Sequence, residues 1–319
     1  MSEVICQHFV VPREYHGQRI DIVLAQLFPD YSRSQLSNWL KQGAITLNQR
    51  SCKPKDKVMD GDEIDMQVDL ADHVSQLVSL PEEIPLNIVY EDDYLLVINK
   101  PAGLVVHPGA GNREHTLVNA LLHHSPQLTN LPRAGIVHRL DKDTTGLLVV
   151  AKTLSAHTSL IRQMQAREIH RCYITLVQGY LVSGGEIDTF FGRHPKNRLK
   201  MAVCAQGREA ITLYSIRKHY ADYTLLNVQL MTGRTHQIRV HMAYINHPVV
   251  GDPLYGGRMR FPAQASEELR EQLKQFQRQA LHASSLSLIH PENDEELTFE
   301  APLPDDFQQL LQALDTHFD

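Results

Sequence analysis

One short stretch of the chain concentrates side chains that can take part in chemistry. Five ionisable side chains lie within six residues: His138, Arg139, Asp141, Lys142 and Asp143. Apolar runs on either side, residues 135–137 and 147–151, predict two buried strands that hold this loop between them. An aspartate in a partly dry pocket can act as a nucleophile when an arginine keeps it ionised. From the residues alone, the alternative is a solvated turn in which an aspartate hydrogen-bonds to the backbone.

A second dense cluster lies further along the chain, at residues 233–241, Gly-Arg-Thr-His-Gln-Ile-Arg-Val-His. A strand is predicted to end at its glycine. A helix capped by Thr235 is predicted to follow, because Ile238, Met242 and Ile245 recur at helical spacing. On composition alone, the arginine within this helix would be an exposed cation.

The chain contains 18 histidines and four cysteines, yet no metal site is predicted. His236 and His241 are five residues apart, which does not place them on one helical face, and no His-Glu-x-x-His motif occurs. The cysteines have no Cys-x-x-Cys spacing, which argues against a zinc site and a disulfide framework.

Two further segments have the composition of functional loops or strands. Residues 171–179, Arg-Cys-Tyr-Ile-Thr-Leu-Val-Gln-Gly, predict a strand with Tyr173 near its start. Residues 192–200 predict a basic loop between strands, suited to phosphates or simply to solvent. Its basic residues are Arg193, Lys196, Arg198 and Lys200. The glycine-rich residues 106–111 lack the rest of a phosphate-binding motif and favour a backbone turn.

The net charge of −6 conceals an uneven distribution. Residues 133–241 hold 16 Lys and Arg against 7 Asp and Glu, whereas residues 58–99 hold 11 acids and residues 290–319 hold 9, both without Lys or Arg. Polyanion binding depends on a basic face rather than on the net charge, so a nucleic-acid partner is compatible with this sequence. The last of these segments is predicted to be an acidic tail.

The N-terminal region predicts a small domain of two helices followed by short strands. Residues 17–28 place Ile20, Leu24 and Leu27 on one helical face. A second helix, capped by Ser32 or Ser34, has Leu36, Trp39 and Leu40 inward and ends at Gly43. Residues 44–48 and 63–68 predict strands. Arg33, Lys41 and further basic residues lie around the second helix and its hairpin, so the region could bind RNA or serve only as a capping domain.

The remaining pattern predicts an α+β protein whose main sheet is mixed and largely antiparallel, flanked by helices, because the strand connections are short. We predict an N-terminal domain at residues 1–75 (core 17–68), a linker at 76–86 and a larger domain at 87–319. No run is long or apolar enough to span a bilayer, and the N-terminus lacks a signal-peptide pattern, so a cytoplasmic location is expected. The protein is also expected to be a monomer.

The segments His138-Arg139-Leu140-Asp141 and Asp143-Thr-Thr-Gly146 resemble the catalytic loop of the RluA family of pseudouridine synthases. Residues 171–173 and 233–241 resemble two further motifs of that family in the right order, and residues 17–68 resemble an S4 RNA-binding domain. Within the family, residues 106–111 and 251–258 are similar to those of the member that modifies a large-subunit ribosomal RNA stem-loop, the one that bridges to the small subunit.

The resemblance implies roles for particular residues. Asp141 matches the catalytic aspartate, Tyr173 the active-site tyrosine and Arg239 the arginine paired with the aspartate. Arg139 matches the arginine that occupies the base stack beside the flipped nucleotide. The RNA contacts expected besides it are His138, Arg234, the basic residues of the 192–200 loop, Arg33 and Lys41. The family uses neither a metal nor an organic cofactor, and the implied partner is ribosomal RNA or its precursor particle.

Three other functions remain open at this stage. The enzyme could modify another ribosomal or transfer RNA uridine. A non-catalytic RNA-binding assembly factor would keep the basic face but would not need Asp141, Tyr173 and Arg239. A phosphotransferase could use a His-Arg-Leu-Asp loop, but the sequence lacks the glycine-rich nucleotide loop and the Asp-Phe-Gly motif that such an enzyme requires.

Overall fold

The structure is a computed structural model that describes residues 4–28, 33–69, 80–109, 112, 114–197, 199–262 and 265–318. The chain divides into two compact units, Met1–Val78 and Ser79–Asp319. The division falls close to the predicted linker, part of which lies outside the described residues. Residues 80–86 belong to the second unit, within which the Glu82 N–H donates to the Asn119 carbonyl at 3.0 Å.

The first unit is an antiparallel sheet packed against two helices. Its elements are β1 (Val4–Val10), α1 (Ile20–Leu27), α2 (Arg33–Gln42), β2 (Ile45–Leu47), β3 (Arg50–Ser51) and β4 (Glu63–Asp69), with strand order β1-β4-β2-β3. The predicted inward residues Leu36, Trp39 and Leu40 are buried, and Gly43 ends α2 with φ of +78°. The predicted caps Ser32 and Ser34 lie outside the residues and side chains that the structure describes.

The second unit is built on one large sheet with the strand order β10-β9-β11-β12-β8-β13-β7-β6-β5. The strands are β5 (Ile88–Glu91), β6 (Leu95–Lys100), β7 (Thr145–Ala151), β8 (His170–Gln178), β9 (Gly185–Arg193), β10 (Met201–Val203), β11 (Arg208–His219), β12 (Tyr223–Leu230), β13 (Leu281–Ile289) and β14 (Glu296–Glu300), the last paired with β13. Among the described strands only β7 and β13 pair in parallel, which confirms the predicted largely antiparallel mixed sheet.

Five helices lie against this sheet within the described residues. They are α3 (Leu117–His124), α4 (Leu154–Ala166), α5 (Gln237–Tyr244), α6 (Glu267–Gln275) and α7 (Asp305–Phe318). None of the helices in the described ranges is long and apolar enough to cross a membrane.

The predicted strand at residues 135–137 is wrong. Pro132–Gly135 forms a short 3-10 helix, and Ile136 makes only an isolated bridge to Val150. Gly135, the first residue of that run, has φ of +78° and follows two residues, Arg133 and Ala134, that also have positive φ, so the backbone turns too sharply for a strand. A Cβ at Gly135 would lie 2.0 Å from the Ala151 carbonyl oxygen, so only glycine fits where this turn meets β7.

The predicted acidic tail is folded, because β14 (Glu296–Glu300) and α7 (Asp305–Phe318) lie within it. Phe307, Leu310 and Leu314 recur at helical spacing and are buried in the core of the second unit. The many acids of this segment conceal that apolar stripe.

Candidate active site

Arg239 lies at the centre of the site and binds two carboxylates. Its Nη1 donates to Asp141 Oδ2 at 2.8 Å, while its Nε and Nη2 donate to the two oxygens of Asp252 at 2.7 and 2.8 Å. The exposed fractions of the three side chains are 6% for Arg239, 16% for Asp141 and 0% for Asp252. Of the two carboxylates, only that of Asp141 reaches solvent.

The electrostatics favour full ionisation of Arg239 and Asp252. Burial opposes the charge of Arg239, but the hydrogen bonds and charge of Asp252 and the charge of Asp141 outweigh it and raise the pKa. Burial likewise opposes the Asp252 carboxylate, but Arg239 and the N–H groups of Leu254 and Tyr255 lower its pKa overall. A fixed positive group therefore stands beside Asp141 before any substrate arrives.

The loop that carries Asp141 is fastened at three consecutive residues. The buried Lys100 ammonium donates to the carbonyls of Pro101, Leu104 and Lys142 at 2.7 to 2.9 Å. Arg278 donates to the Asp143 carbonyl at 3.3 Å while its guanidinium forms a two-point ion pair with Asp306 of α7. The Gln279 amide donates to Thr144 Oγ1 at 3.0 Å. The loop is therefore held by groups from β6 and from the segment before β13.

The start of helix α5, which carries Arg239, is held by the side-chain amide of Gln237, which forms four hydrogen bonds. Gln237 Oε1 accepts from the Thr232 hydroxyl and the Arg234 N–H, both at 2.9 Å. Its Nε2 donates to the Ile211 carbonyl and to Thr212 Oγ1 of β11. The helix begins at Gln237 with His236 as its N-cap residue, so the prediction of Thr235 as the cap is wrong.

Tyr173 lies on β8 with its ring in the main hydrophobic core, 5% exposed. Burial raises the pKa of its hydroxyl, the charge of Arg171 opposes that rise, and the charge of Asp141 adds to it. The phenol is therefore neutral near pH 7 and lies within electrostatic reach of both the aspartate and a second arginine.

Tyr255 connects the Asp141 centre with the basic hairpin between β9 and β10. The Arg239 guanidinium lies 5.2 Å from the centroid of its ring and the Lys200 ammonium 5.6 Å from it. Its hydroxyl oxygen accepts the Met201 N–H at 2.8 Å and lies 2.9 Å from His236 Nδ1. The opposite ring nitrogen of His236, Nε2, faces Asp141 Oδ1 at 3.8 Å.

The structure brings Asp141 and Arg239 into contact, whereas the predicted RNA contacts stay predictions. Arg139, Arg193, Lys196 and, in the first unit, Lys41 are exposed. Arg234 is half-buried, and its Nε donates to the Glu209 carbonyl at 3.0 Å. Two others, Arg198 and the side chain of Arg33, lie outside what the structure describes.

His138 differs from the other predicted RNA contacts because its ring faces inward. Its Nε2 accepts the Val149 N–H at 3.1 Å, and its Nδ1 is buried without a hydrogen-bond partner among the described residues. Burial, reinforced by the charge of Arg171, lowers the pKa of His138 to about 3. The neutral ring thus joins the loop to β7.

Sequence reasoning misses Asp252, Tyr255 and His236 as parts of this centre. Residues 251–257, Gly-Asp-Pro-Leu-Tyr-Gly-Gly, indicate a likeness to one family member but no role. An aspartate between glycine and proline in an otherwise apolar segment is the available signal. Among the described residues, no group of three or more His, Cys, Asp or Glu is arranged to hold a metal ion.

The chain belongs to the RNA pseudouridylate synthase family. Residues 94–244 match that family and residues 18–64 match the S4 domain, as predicted. The chain is 52% identical over 305 residues to ribosomal large subunit pseudouridine synthase D of Xanthomonas campestris pv. campestris, covering 96% of this chain and 91% of the relative. It is 51% identical over 314 residues to the protein of that name from Pseudomonas aeruginosa, covering 98% and 97%.

Solved structures of two human proteins have a similar fold. Human RNA pseudouridylate synthase domain containing 4 matches with a TM-score of 0.57 and 25% identity, over 77% of this chain and 95% of its own. Human RNA pseudouridylate synthase domain containing 1 matches with a TM-score of 0.54 and 26% identity, over 75% and 98%. The predicted resemblance to the RluA family, and within it to synthase D, is thereby confirmed.

Proposed function

We propose that this enzyme converts uridine to pseudouridine in large-subunit ribosomal RNA, in the stem-loop that bridges to the small subunit. The relatives named ribosomal large subunit pseudouridine synthase D match nearly the whole length of this chain and support that substrate. The S4 domain supplies a second RNA-binding module in the same chain. The stem-loop rests on the sequence resemblance described above.

The observation that carries the proposal is the ion pair of Arg239 and Asp141 at 2.8 Å, with Arg239 locked by the fully buried Asp252. The arrangement leaves the Asp141 carboxylate, 16% exposed, at the surface of a partly dry pocket. A carboxylate in that setting is a nucleophile or base with a fixed direction of attack. We assign to Asp141 the cleavage of the bond between uracil and ribose.

In the reaction, the N1–C1′ bond of uridine breaks and a C5–C1′ bond forms. The proton lost from C5 is matched by one gained at N1, so no oxidant, reductant or co-substrate is consumed. Asp141 acts as the nucleophile that releases the base and is itself displaced when the new bond forms. Arg239 places its positive charge beside that carboxylate, and Tyr173 offers a flat face and a hydroxyl near the detached uracil. Arg139 fills the gap that the flipped nucleotide leaves in its stack.

The remaining features of the proposal carry over the expectations drawn from the sequence. The enzyme needs no metal or organic cofactor. We place it in the cytoplasm, acting as a monomer on ribosomal RNA or its precursor particle. The basic residues of the 192–200 loop and those around Arg139 contact phosphates, and the S4 domain contributes Lys41 and Arg33.

The test uses ribosomal RNA from cells that lack this protein, with pseudouridines mapped before and after complementation. Loss of modification in the large-subunit stem-loop, and its return with the wild-type protein, is the expected result. Asp141→Asn keeps the shape of the side chain and removes the charge, so it should restore no pseudouridine.

The matched control is Asp143→Asn, which removes a carboxylate from the same loop two residues away and should restore modification. Restoration by Asp141→Asn would overturn the role of Asp141. Unchanged ribosomal RNA together with missing pseudouridine in transfer RNA would instead overturn the substrate.

A further inference from the structure

His236 occupies a conformation that residues other than glycine seldom adopt. Its φ of +61° and ψ of +21° place it in the left-handed region, directly before α5. A non-glycine residue there costs about 1–2 kcal/mol relative to a right-handed conformation. Its side chain makes no capping hydrogen bond to the helix, so capping does not explain why a histidine stands there. Backbone strain of this kind is often retained at functional sites.

The strained backbone directs the imidazole between Tyr255 and Asp141. Nδ1 lies 2.9 Å from the Tyr255 hydroxyl, and Nε2 lies 3.8 Å from Asp141 Oδ1. The other oxygen of Asp141, Oδ2, is already bound by Arg239 at 2.8 Å. The histidine therefore faces the one carboxylate oxygen that Arg239 leaves unoccupied.

The neighbours of the ring indicate which nitrogen carries the proton. In the arrangement that we infer, the Tyr255 hydroxyl accepts the Met201 N–H at 2.8 Å and donates its own proton to His236 Nδ1. In a neutral ring the proton then lies on Nε2, the nitrogen nearest the Asp141 carboxylate. A chain of hydrogen bonds from the backbone of β10 thus presents an N–H group to Asp141.

We propose that His236 is a positioning residue for Asp141: its Nε2–H donates to Oδ1 once the RNA is bound and, together with Arg239, fixes the plane of the carboxylate. The 3.8 Å separation is too long for a hydrogen bond in the free enzyme. Hydrogen bonds of catalytic centres commonly shorten when the substrate closes the site. The inference rests on the proposed role of Asp141.

A neutral donor suits this role better than a second cation. Burial is the main cause that lowers the pKa of His236; Arg239 and Arg139 lower it further, while Asp141 and Asp252 oppose them. The ring is therefore neutral at pH 7. It can orient the carboxylate without adding a full positive charge, so Asp141 keeps its nucleophilic strength.

The test is single-turnover conversion of a large-subunit stem-loop RNA by the full-length enzyme, with the RNA dissociation constant measured separately. His236→Leu removes the donor and should slow conversion at saturating enzyme by about 10–100-fold, the range that loss of a hydrogen-bond partner behind a metal ligand causes in metalloenzymes. The dissociation constant should change much less than the rate. His236→Gln restores an N–H group at the reach of Nε2 and should recover most of the rate.

The outcomes separate this inference from the proposed function. Wild-type rates in His236→Leu, or a loss that appears only in the dissociation constant, would overturn the positioning role while leaving the enzyme's activity established. The positioning role would also be overturned if His236→Gln has the melting temperature of the wild type but converts the RNA as slowly as His236→Leu. Failure of the wild-type enzyme to convert the stem-loop, with activity on another RNA that still depends on His236, would overturn the proposed substrate alone.

Discussion

Asp252 determines where the charge of Arg239 can act. Both of its oxygens accept from Arg239, and one of them also accepts the backbone N–H groups of Leu254 and Tyr255. With Nε and Nη2 bound in this way, Nη1 is the donor that reaches Asp141. The direction of the Asp141 contact is thus set by a residue that lies outside the reach of solvent, before RNA binds. Preorganisation of this kind avoids reordering of the site during the reaction.

Removal of the Asp252 carboxylate should therefore affect both stability and rate. Asp252→Ala leaves Arg239 buried with only the partly exposed Asp141 as an ion partner, and loss of one partner of a buried pair costs about 3–5 kcal/mol. We expect a fall of that size in the free energy of unfolding, measured with urea, and a slower single-turnover rate. Asp188→Ala, at an exposed position on β9 of the same sheet, is the control and should change stability by less than about 0.5 kcal/mol. Equal effects of the two substitutions would contradict this account.

His241 gives the second unit a stability that depends on pH. The residue is 0% exposed, with Nδ1 2.8 Å from Thr212 Oγ1 and Nε2 3.0 Å from Thr189 Oγ1. Burial lowers its pKa to about 4 from the ordinary value of 6.5. The unfolded chain takes up a proton near pH 6.5 and the folded protein does not until about pH 4. Its contribution to stability is therefore complete above pH 6.5 and is lost as the pH falls toward 4.

The contribution of His241 to the free energy of unfolding can be measured by urea unfolding at pH 7 and pH 5. The wild-type protein should lose about 2 kcal/mol through this histidine over that interval, at about 1.4 kcal/mol for each pH unit below the unfolded-state pKa. In His241→Gln, which can still bridge the two threonines and does not titrate, the difference between the two pH values should be smaller by that amount. His123→Gln, at an exposed position on α3, should leave the difference unchanged. An unchanged difference in His241→Gln would show that the buried ring is not the source.

At the scale of elements, the parallel pairing of β7 with β13 fixes the point at which the chain enters the sheet after the Asp141 loop. Gly146 has φ of +109°, and a Cβ on it would lie 2.2 Å from the carbonyl oxygen of Ala283 and 2.6 Å from its nitrogen. Neither backbone atom can move without breaking the pairing of His282 with Thr145 and of Ala283 with Gly146. The loop and the sheet are therefore joined at a contact that only glycine permits.

The substitution Gly146→Ala tests that contact, with Gly103→Ala as a control for backbone strain alone. Gly103 has φ of +83°, and a Cβ on it would meet no described atom within 4 Å, so Gly103→Ala should cost only about 1–2 kcal/mol. Gly146→Ala adds overpacking of about 1–3 kcal/mol to the same strain. We expect it to be less stable than Gly103→Ala by that margin in thermal or urea unfolding, and to be slower in single turnover. Equal stabilities would mean that β7 can shift to accept the methyl group.

An element can be predicted well from the sequence when the residues that determine it are neighbours in the chain. Helices α1 and α2 can be predicted from the sequence because the apolar residues of each helix lie on a single face. Capping rules are local and place the start of α5 at Thr235, whereas the observed start follows from Gln237 bonding to β11, more than 20 residues earlier in the chain. Asp252 escapes prediction for the same reason, since its partner Arg239 lies on another element. The family resemblance supplies Asp141, Tyr173 and Arg239; the residues that hold them cannot be read from spacing.

At the scale of the whole molecule, the Asp141 centre and the S4 domain lie in different units. Every residue placed around Asp141 lies between Ser79 and Asp319, and that unit has its own hydrophobic core. The first unit also has a core of its own, and exposes basic residues around α2 and the following hairpin. These are Lys41, Arg50, Lys53, Lys55 and Lys57. Charges of this kind add affinity through phosphates without adding chemistry.

Removal of residues 1–78 should therefore weaken RNA binding and spare the chemical step. We expect the truncated enzyme to bind the stem-loop RNA more weakly and with a flatter dependence on salt, by about 0.7–0.9 in the slope of log K against log salt for each phosphate that the enzyme no longer binds. At saturating enzyme its single-turnover rate should stay close to that of the full chain. The full-length variant Lys53→Gln/Lys55→Gln/Lys57→Gln keeps the domain and removes charge, so a matching change in its slope would assign the effect to these lysines. A truncated enzyme that binds RNA to saturation but does not convert it would show instead that the first unit takes part in presenting the uridine to Asp141.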